Sequence, residues 1–205
     1  MNNRFYPYAT DSNERDVLAY YFAGLSVLTV YLLSVGVEAF KVHMPWWIAL
    51  PTPMAIYLAL RSAFANHIWK WDLLHRWGVV RIPIVSGNYK GHLWTSFDEH
   101  GEKHPCELTI SQTWTNISIR GRFPQSRSHN MVSGISVQGT DAPRLTYEYW
   151  NEPVSGSPTP MVPHRGTVWF DIKHDADGTE LDGEYYTGRG RATFGRIKVR
   201  SGGND

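Results

Sequence analysis

A set of aromatic and polar residues in the last two thirds of the chain has side chains suited to holding a small ligand. Their rings can stack on flat groups, and their polar groups can make hydrogen bonds. Each residue has the parity of the apolar residues on its own predicted strand, which places it on the inner face of a sheet. They are Tyr89, Tyr147, Tyr149, Asn151, His164, Tyr185, Thr187 and Arg191. Two interpretations stay open: a ligand site at the mouth of a barrel, or tyrosines that fill a β-core.

Motifs for catalysis and for metal binding are sparse. The sequence contains no nucleophile elbow, phosphate-binding Gly-Lys-Ser/Thr loop, dinucleotide glycine fingerprint or paired-histidine metal motif. Residues 175–178 match part of a calcium loop, but its third oxygen ligand and its distant glutamate are missing, so they are interpreted as a hairpin turn. We therefore expect a binding protein rather than an enzyme, with no catalytic residues, no cofactor and no metal.

The charge balance argues against binding of a DNA or RNA polymer. The chain has 20 Lys and Arg against 19 Asp and Glu, and residues 81–205 have 14 of each sign. A long polyanion normally needs a net basic surface, whereas a compact ligand with two phosphates needs only a few local cations. Cations crowd the last strand, where Arg196, Lys198 and Arg200 are interpreted as a solvated face opposite the acidic residues of 171–184.

Alternating segments separated by turn signals predict the element that positions these side chains. From Pro83 onward there are eight such segments, mostly joined by short turns, with one apolar and one charged face. The predicted inner apolar residues are Leu108, Ile110, Ile117, Ile119, Ile135, Val137, Leu145, Val168, Phe170, Ile172, Leu181, Ile197 and Val199. The predicted fold is an all-β, eight-stranded antiparallel up-and-down (lipocalin-like) β-barrel, because closure leaves no exposed sheet edge.

Two apolar stretches without Asp, Glu, Lys or Arg precede the strands. Residues 17–37 and 42–60 comprise about 21 and about 19 residues, and about 20 are needed for a helix to cross the hydrocarbon core of a bilayer. A cleaved signal peptide fits poorly, because the preceding segment is long and acidic and a second apolar stretch follows. The sequence predicts an N-terminal two-helix transmembrane hairpin, with its second helix kinked or shortened at Pro45, Pro51 and Pro53.

Basic residues flank both ends of the predicted hairpin and are sparse in its turn. Arg4 and Arg15 precede it, Lys41 lies in the turn, and Arg61, Lys70, Arg76 and Arg81 follow it. The positive-inside rule then places both chain termini in the cytoplasm of a multi-pass protein. The single cysteine, Cys106, agrees with a reducing compartment.

These features divide the chain into four predicted parts. Tryptophans mixed with charged residues in 65–77 are typical of a helix in the membrane interface. The parts are a cytoplasmic N-terminal segment (1–16), two transmembrane helices (17–61), an interfacial linker helix (62–82) and a cytoplasmic β-barrel domain (83–205).

Five motifs occur in a fixed order along the predicted barrel. GNYKGHLW stands at its start, LTYEYWNEP in its middle, and HRGTVWF, LDGEYYTGRG and GRIKVR toward its end. Together with the two apolar stretches, this order resembles the two-transmembrane β-barrel effectors of CBASS. These are bacterial anti-phage systems in which a nucleotidyltransferase makes a cyclic oligonucleotide signal. The resemblance covers essentially the whole chain.

The resemblance implies a sensor and an effector in one polypeptide, with no cofactor or metal. The cytoplasmic barrel would bind a cyclic dinucleotide, binding would promote homo-oligomerisation, and the assembled helices would disrupt the bacterial inner membrane and abort the infection. The family's motif positions fall on Tyr147, Tyr149, Asn151, His164, Gly166, Gly183, Tyr185, Thr187 and Arg189. With Arg191, the expected ligand-binding residues are Tyr147, Tyr149, Asn151, His164, Tyr185, Thr187, Arg189 and Arg191.

A second hypothesis belongs to a different class of protein. GNYKGHLW also resembles the opening motif of lipocalins, with Tyr89 in the place of the tryptophan. The alternative is therefore a membrane-tethered, lipocalin-like binder of lipid or another small apolar ligand.

Overall fold

The structure is a computed structural model that describes residues 5–41, 50–139, 141–154, 162–188 and 191–202. Within these residues the chain forms two compact units. One contains the described parts of Met1–Ser12 and Ile82–Asp205, and the other contains those of Asn13–Arg81. The first unit is a β-sheet structure and the second is helical.

Helix α1 (Glu14–Ala39) contains the whole of the first predicted span. Its 26 residues give a length of about 39 Å, which exceeds the roughly 30 Å of a hydrocarbon core. Glu14 and Asp16 lie in its first turn, where carboxylates favour a helix N-terminus. Among the described residues, α1 is the one helix long and apolar enough to cross a membrane.

Helix α2 (Pro53–Asn66) is shorter than the second predicted span. The Thr52 hydroxyl accepts the backbone N–H of Ala55 at 3.2 Å, and the fixed φ of Pro53 suits the first helical position. Its 14 residues extend only about 21 Å, and residues 42–49 lie outside the described residues. The structure therefore does not show the predicted two-helix transmembrane hairpin.

Residues 65–77, predicted as part of an interfacial linker helix, form short pieces rather than one continuous helix. A 3-10 turn (Ile68–Lys70) follows the end of α2 and precedes α3 (Asp72–Arg76). Trp71 separates the two pieces because its backbone is extended. Trp69 is fully buried within the helical unit, whereas Trp71 is 58% exposed.

Eight long strands form the barrel. They are β3 (Gly87–Thr95), β4 (His104–Gln112), β5 (Asn116–Arg122), β6 (Ser126–Ser136), β7 (Arg144–Pro153), β8 (His164–Asp175), β9 (Gly178–Thr187) and β10 (Phe194–Ser201). Each strand pairs antiparallel with the next, and β10 pairs antiparallel with β3. This closed up-and-down order confirms the predicted eight-stranded antiparallel barrel.

Two further short strands lie at the N-terminus of the chain. Strand β1 (Tyr6–Pro7) pairs antiparallel with β5, and strand β2 (Ala9–Thr10) pairs parallel with β6. We call residues 5–12, which contain both strands, the N-terminal strap. The strap therefore belongs to the same sheet as the barrel, although the sequence pattern did not indicate it.

Alternation correctly identified the inner face. Of the thirteen apolar residues expected inside, all but Val137 are buried, and Val137 is half-buried just beyond the end of β6. Ser118, between the inward-facing Ile117 and Ile119 on β5, is also buried, at 5% exposure. The strap covers β5 next to it, where Tyr6 pairs with Ile117.

The barrel has two different ends. At the mouth end, strands β3, β5, β7 and β9 end and strands β4, β6, β8 and β10 begin. At the closed end, strands β4, β6, β8 and β10 end and strands β3, β5, β7 and β9 begin, beside the strap and residues 82–86. At the closed end Tyr8, Ile82, Val85 and Trp114 are each at most 3% exposed. Aromatic and aliphatic side chains thus seal this end.

Candidate ligand-binding site

The candidate site begins on the inner face of β7 and β8 at the mouth end. Tyr147, Tyr149 and Asn151 alternate inward along β7 and are 4%, 8% and 4% exposed. The antiparallel register places Tyr149 opposite Gly166 and Asn151 opposite His164. The structure therefore brings together the predicted site residues of these two strands.

Strand β9 adds two more of the predicted residues. Tyr185 lies opposite Val168, and Thr187 lies opposite Gly166. The Thr187 hydroxyl donates to the Thr193 carbonyl oxygen at 3.1 Å and accepts the Thr193 backbone N–H at 2.8 Å. Thr187 therefore holds the β9–β10 hairpin together, a structural role that the sequence pattern did not reveal.

Gly166 allows the Tyr149 ring to lie across strand β8. A Cβ atom at position 166 would overlap the Tyr149 hydroxyl and would lie 2.6 Å from the Tyr186 carbonyl oxygen. The Tyr149 ring makes edge contacts with the His164 and Tyr147 rings, with centroids 6.4 Å away in both cases. The glycine in the HRG motif thus has a packing reason, and it positions three rings as one cluster.

Arg191 lies at the same end of the barrel and is half-buried. It acts electrostatically on Tyr149, His164 and Tyr185. Burial lowers the pKa of His164, and the charge of Arg191 lowers that pKa further, although a hydrogen bond to Val162 opposes both effects. We call Tyr147, Tyr149, His164, Tyr185 and Arg191 the mouth cluster.

The hydrogen bond of His164 selects its tautomer. Its Nδ1 lies 3.0 Å from the Val162 carbonyl oxygen, so Nδ1 must be the donor. Because the pKa of His164 lies below the ordinary value of about 6.5, the ring is neutral near pH 7. Its Nε2 atom is therefore a hydrogen-bond acceptor.

The three tyrosines of the mouth cluster stay protonated at neutral pH. Burial raises the pKa of Tyr147, Tyr149 and Tyr185, and the charge of Arg191 opposes this rise for the latter two. Neutral aromatic rings beside one guanidinium can bind a ligand that combines flat bases with negative phosphates. The cluster offers hydroxyls as hydrogen-bond donors and rings as stacking surfaces.

Of the predicted site residues outside the mouth cluster, Asn151 and Thr187 lie next to it in the strand register, and two others are not placed at this end of the barrel. Arg189 lies outside the described residues. Tyr89 lies toward the closed end, where its hydroxyl donates to the Val85 carbonyl oxygen at 2.9 Å and burial raises its pKa to about 12. Tyr89 therefore belongs to the core.

The sequence analysis missed two neighbours of the cluster. Thr95, at the end of β3, hydrogen bonds to Tyr185, and the fully buried Phe170 ring lies 6.3 Å from the Tyr147 ring. Thr95 has the same parity as the buried Tyr89 on its strand, so alternation could have identified it. Phe170 was predicted as core, but nothing in the sequence pairs it with Tyr147.

Buried side chains line the interior beside the cluster. Cys106 is 2% exposed, its pKa is raised to about 12 by burial, and it acts electrostatically on Tyr147. A shallow groove of about 130 Å³ lies on the outer face of β7–β9 instead, lined by Glu148, Arg165, Gly166, Thr167, Tyr186 and Gly188. Small-molecule sites usually measure roughly 300–1,000 Å³, so this groove cannot enclose a nucleotide.

One group of side chains has ligand types suited to a metal. Within the described part of the chain, Asp98, Glu102 and His104 bring one ligand atom each within 4.8 Å of one another. The Asp98 carboxylate and the His104 Nε2 already bond to each other at 2.6 Å. A hydrogen bond between these two side chains explains their proximity.

A closed barrel with neutral aromatic rings and a guanidinium grouped at one inner end has the features of a small-ligand receptor. Residues 80–201 match the family described as the Cap15 cyclic dinucleotide receptor domain. The matched region contains all eight barrel strands and more than half of the chain, so the chain belongs to the Cap15 family.

A curated relative supports the same assignment. The chain is 27% identical over 183 residues to CD-NTase-associated protein 15 from Yersinia aleksiciae, an alignment that covers 85% of this chain and 84% of that protein. The coverage extends well beyond the barrel. These findings confirm the resemblance to the CBASS effectors that the motif order suggested.

Proposed function

We propose that the barrel binds a cyclic dinucleotide at its mouth end and that binding drives assembly of the chain and disruption of the bacterial inner membrane. The observation that carries this proposal is the position of Arg191, which acts on Tyr149, His164 and Tyr185 inside a domain of the Cap15 cyclic dinucleotide receptor family. The remaining residues of the proposed site are Tyr147, Asn151, Thr187 and Arg189.

Each part of the cluster suits one part of such a ligand. Stacking of a base on an aromatic ring contributes about 1–3 kcal/mol in single-strand binders, and Tyr149 and Tyr185 offer such rings. Arg191 offers charge-assisted hydrogen bonds to phosphate oxygens. His164 offers Nε2 as an acceptor for a base N–H. Because the phenols are neutral, they add no repulsion toward the phosphates.

Binding deep inside the barrel requires buried side chains below the mouth to move. The interior is filled around Tyr147 by Cys106 and Phe170, so a ligand gains access only in a rearranged state, and its affinity is reduced by the population of that state. A lipid chain would additionally have to displace the fully buried Leu145. The described interior therefore gives no support to the lipocalin-like alternative.

Substitution of Arg191 tests the site. The full chain in detergent is titrated with a panel of cyclic dinucleotides by calorimetry. Loss of a hydrogen bond to a charged group costs about 1.5–3 kcal/mol, so Arg191→Gln is expected to weaken binding about 10- to 150-fold. Arg165→Gln, in the outer groove, is the matched control and should bind like the parent. If Arg165→Gln loses binding and Arg191→Gln does not, the ligand binds outside the barrel.

The connections of the barrel support two membrane spans. The strap before α1 and residue 82 after α3 both belong to the closed end of the same barrel. If α1 crosses the bilayer, the chain must cross it again before residue 82. We propose residues 17–37 and 42–60 as the two spans, with the segment 1–16 and the barrel in the cytoplasm and residues 62–82 as the linker between membrane and barrel.

Labelling of introduced cysteines in spheroplasts tests this topology, because the native Cys106 is buried. Lys41 and Glu99 are both exposed, one after α1 and one on the barrel. A membrane-impermeant maleimide added outside is expected to label Lys41→Cys and to leave Glu99→Cys unlabelled until the cells are lysed. Labelling of Glu99→Cys in intact spheroplasts would place the barrel outside and remove its access to a cytoplasmic signal.

Assembly and membrane damage follow if the ligand prefers the assembled state. A ligand shifts an equilibrium only by its difference in affinity for the two states. The expected result is ligand-dependent growth in sedimenting mass and release of dye from liposomes that contain the full chain. Binding without either change would restrict the protein to a receptor role.

A further inference from the structure

Strands β5 and β6 close the barrel over only part of their length. Their direct pairing consists of Arg120, Gly121 and Arg122 with His129, Ser128 and Arg127. Toward the closed end the strap pairs with both strands instead. Tyr6 lies opposite Ile117 of β5, and Ala9 lies opposite Gly134 of β6. The strap is therefore part of the barrel wall.

Specific side-chain contacts hold the strap in this position. Tyr8 is 2% exposed, and its hydroxyl donates to the Trp114 carbonyl oxygen at 2.9 Å. The Asp11 carboxylate accepts the backbone N–H groups of Val137 and Gln138 at 2.8 and 2.9 Å. Both halves of the strap are thus bonded to the barrel, and only Ser12 and Asn13 separate Asp11 from the first residue of α1.

The connection after the helices is bonded at the same place. Gln112 is 4% exposed, and its Oε1 accepts the Val85 backbone N–H at 2.8 Å. Its Nε2 donates to the Pro83 carbonyl oxygen at 3.2 Å and to the Tyr8 hydroxyl at 3.4 Å. One buried amide therefore binds the chain that leads into the helical unit and the chain that returns from it.

We propose that the strap and Gln112 form a joint that transmits a change in the barrel to α1. The joint connects to the barrel interior, because the hydroxyl of the inward-facing Tyr89 donates to the carbonyl oxygen of Val85. A movement of the inner face on ligand binding reaches α1 through Val85, Gln112 and Tyr8, because only Ser12 and Asn13 lie between Asp11 and the first residue of α1. The inference deepens the proposed function and rests on it for the ligand, but the placement of the strap stands independently.

A disulfide tests whether the strap occupies its own barrel. A Cβ atom at Gly134 would lie 4.0 Å from the Cβ of Ala9, within the usual disulfide range of about 3.5–4.5 Å. Oxidation of Ala9→Cys/Gly134→Cys in the full chain is expected to give a disulfide within single chains on a non-reducing gel. Ala9→Cys/Val132→Cys, with an exposed second position, is the control. A disulfide between chains, or none, would overturn the placement.

Removal of single hydroxyl and amide groups tests transmission. Amide hydrogen exchange over residues 14–20 is expected to be about fivefold faster in Tyr8→Phe and Gln112→Leu than in the parent, and unchanged in Tyr6→Phe, the same change on the neighbouring strap residue. Equal exchange in all variants would overturn the joint. This readout needs no nucleotide, so it decides the joint even if the proposed ligand fails to bind.

A second readout separates transmission from stability. Tyr8→Phe is expected to keep the parental affinity for the cyclic dinucleotide panel within about twofold and to release liposome dye about tenfold less at saturation, in the range of typical coupling. Parallel loss of affinity and release would show that the contact only supports the fold. If the parent itself binds no nucleotide, the proposed function fails while the exchange result stands.

Discussion

The two ends of the barrel are built from the same eight strands but use their polar groups differently. At the closed end, the side chains of Gln112 and Tyr8 form hydrogen bonds with backbone groups of the same chain. At the mouth end, the charge of Arg191 acts on Tyr149, His164 and Tyr185, and burial shifts the pKa of each of the three. The polar groups of the closed end are thus used for hydrogen bonds within the chain, whereas the mouth end offers aromatic rings and a cation.

This difference separates stability from recognition along a single strand. Near the closed-end start of strand β7, Leu145 is fully buried, and the inner face continues through Tyr147 and Tyr149 to Asn151 near the mouth. A buried aliphatic side chain stabilises by area alone, whereas a tyrosine adds a hydroxyl and a stacking face. Substitutions at the closed end of β7 should therefore lower stability, and substitutions near its mouth end should weaken ligand binding.

The largest effect is expected at the closed end of β7. Leu145→Ala removes a side chain that is 0% exposed and should lower the free energy of unfolding by about 2–5 kcal/mol. Denaturant unfolding of the full chain, followed by tryptophan fluorescence, measures it. The exposed Val132→Ala should stay within about 0.5 kcal/mol of the parent. Equal losses in the two variants would contradict a sealed core.

The second-largest effect on stability is expected at the mouth end, where β7 pairs with β8. Gly166→Ala places a methyl group against the Tyr149 hydroxyl and should cost about 1–3 kcal/mol of unfolding free energy, with loss of cyclic dinucleotide binding. Gly134→Ala is the control, because its Cβ would meet Ala9 at ordinary distances of 3.7 and 4.0 Å. Unchanged binding in Gly166→Ala would remove Tyr149 from the site.

A smaller effect separates the two roles of Thr187. If its hydroxyl serves the β9–β10 hairpin, Thr187→Val should lower unfolding free energy by about 1 kcal/mol. Thr167→Val, on the outer face, is the comparison. Unchanged stability with lost nucleotide binding would show instead that the hydroxyl serves the ligand.

The smallest expected effect is a shift in the pKa of His164 at the mouth end. The NMR-measured pKa of His164 should lie below about 6.5 in the free protein, and Arg191→Gln should raise it by removing a like charge. Because the folded pKa is the lower one, unfolded chains take up the proton first on acidification. The barrel should therefore lose stability as pH falls below about 6.5, and His164→Gln should remove this dependence. A pKa above 6.5 would contradict the burial of the ring.

The features of the fold and of the candidate site that could be predicted from the sequence are those whose interacting residues lie close together along the chain. Alternation placed Tyr147, Tyr149 and Asn151 on the inner face, and the structure agrees. The role of Thr187 was missed because its partner, Thr193, lies across a turn whose geometry the sequence pattern does not describe. Among the helices, the prolines near residue 53 indicated an interruption, and α2 begins at Pro53.

The amino-acid sequence alone determined the properties that act locally: the length and apolar character of α1, the two faces of each strand and the order of hairpins that makes an up-and-down barrel. The tertiary structure decided the rest. Tyr8 and Trp114 are 106 residues apart in the chain, and Gln112 meets Tyr8 across 104. No periodicity reports such a contact, because each partner looks like an ordinary polar or aromatic residue until the barrel closes around it.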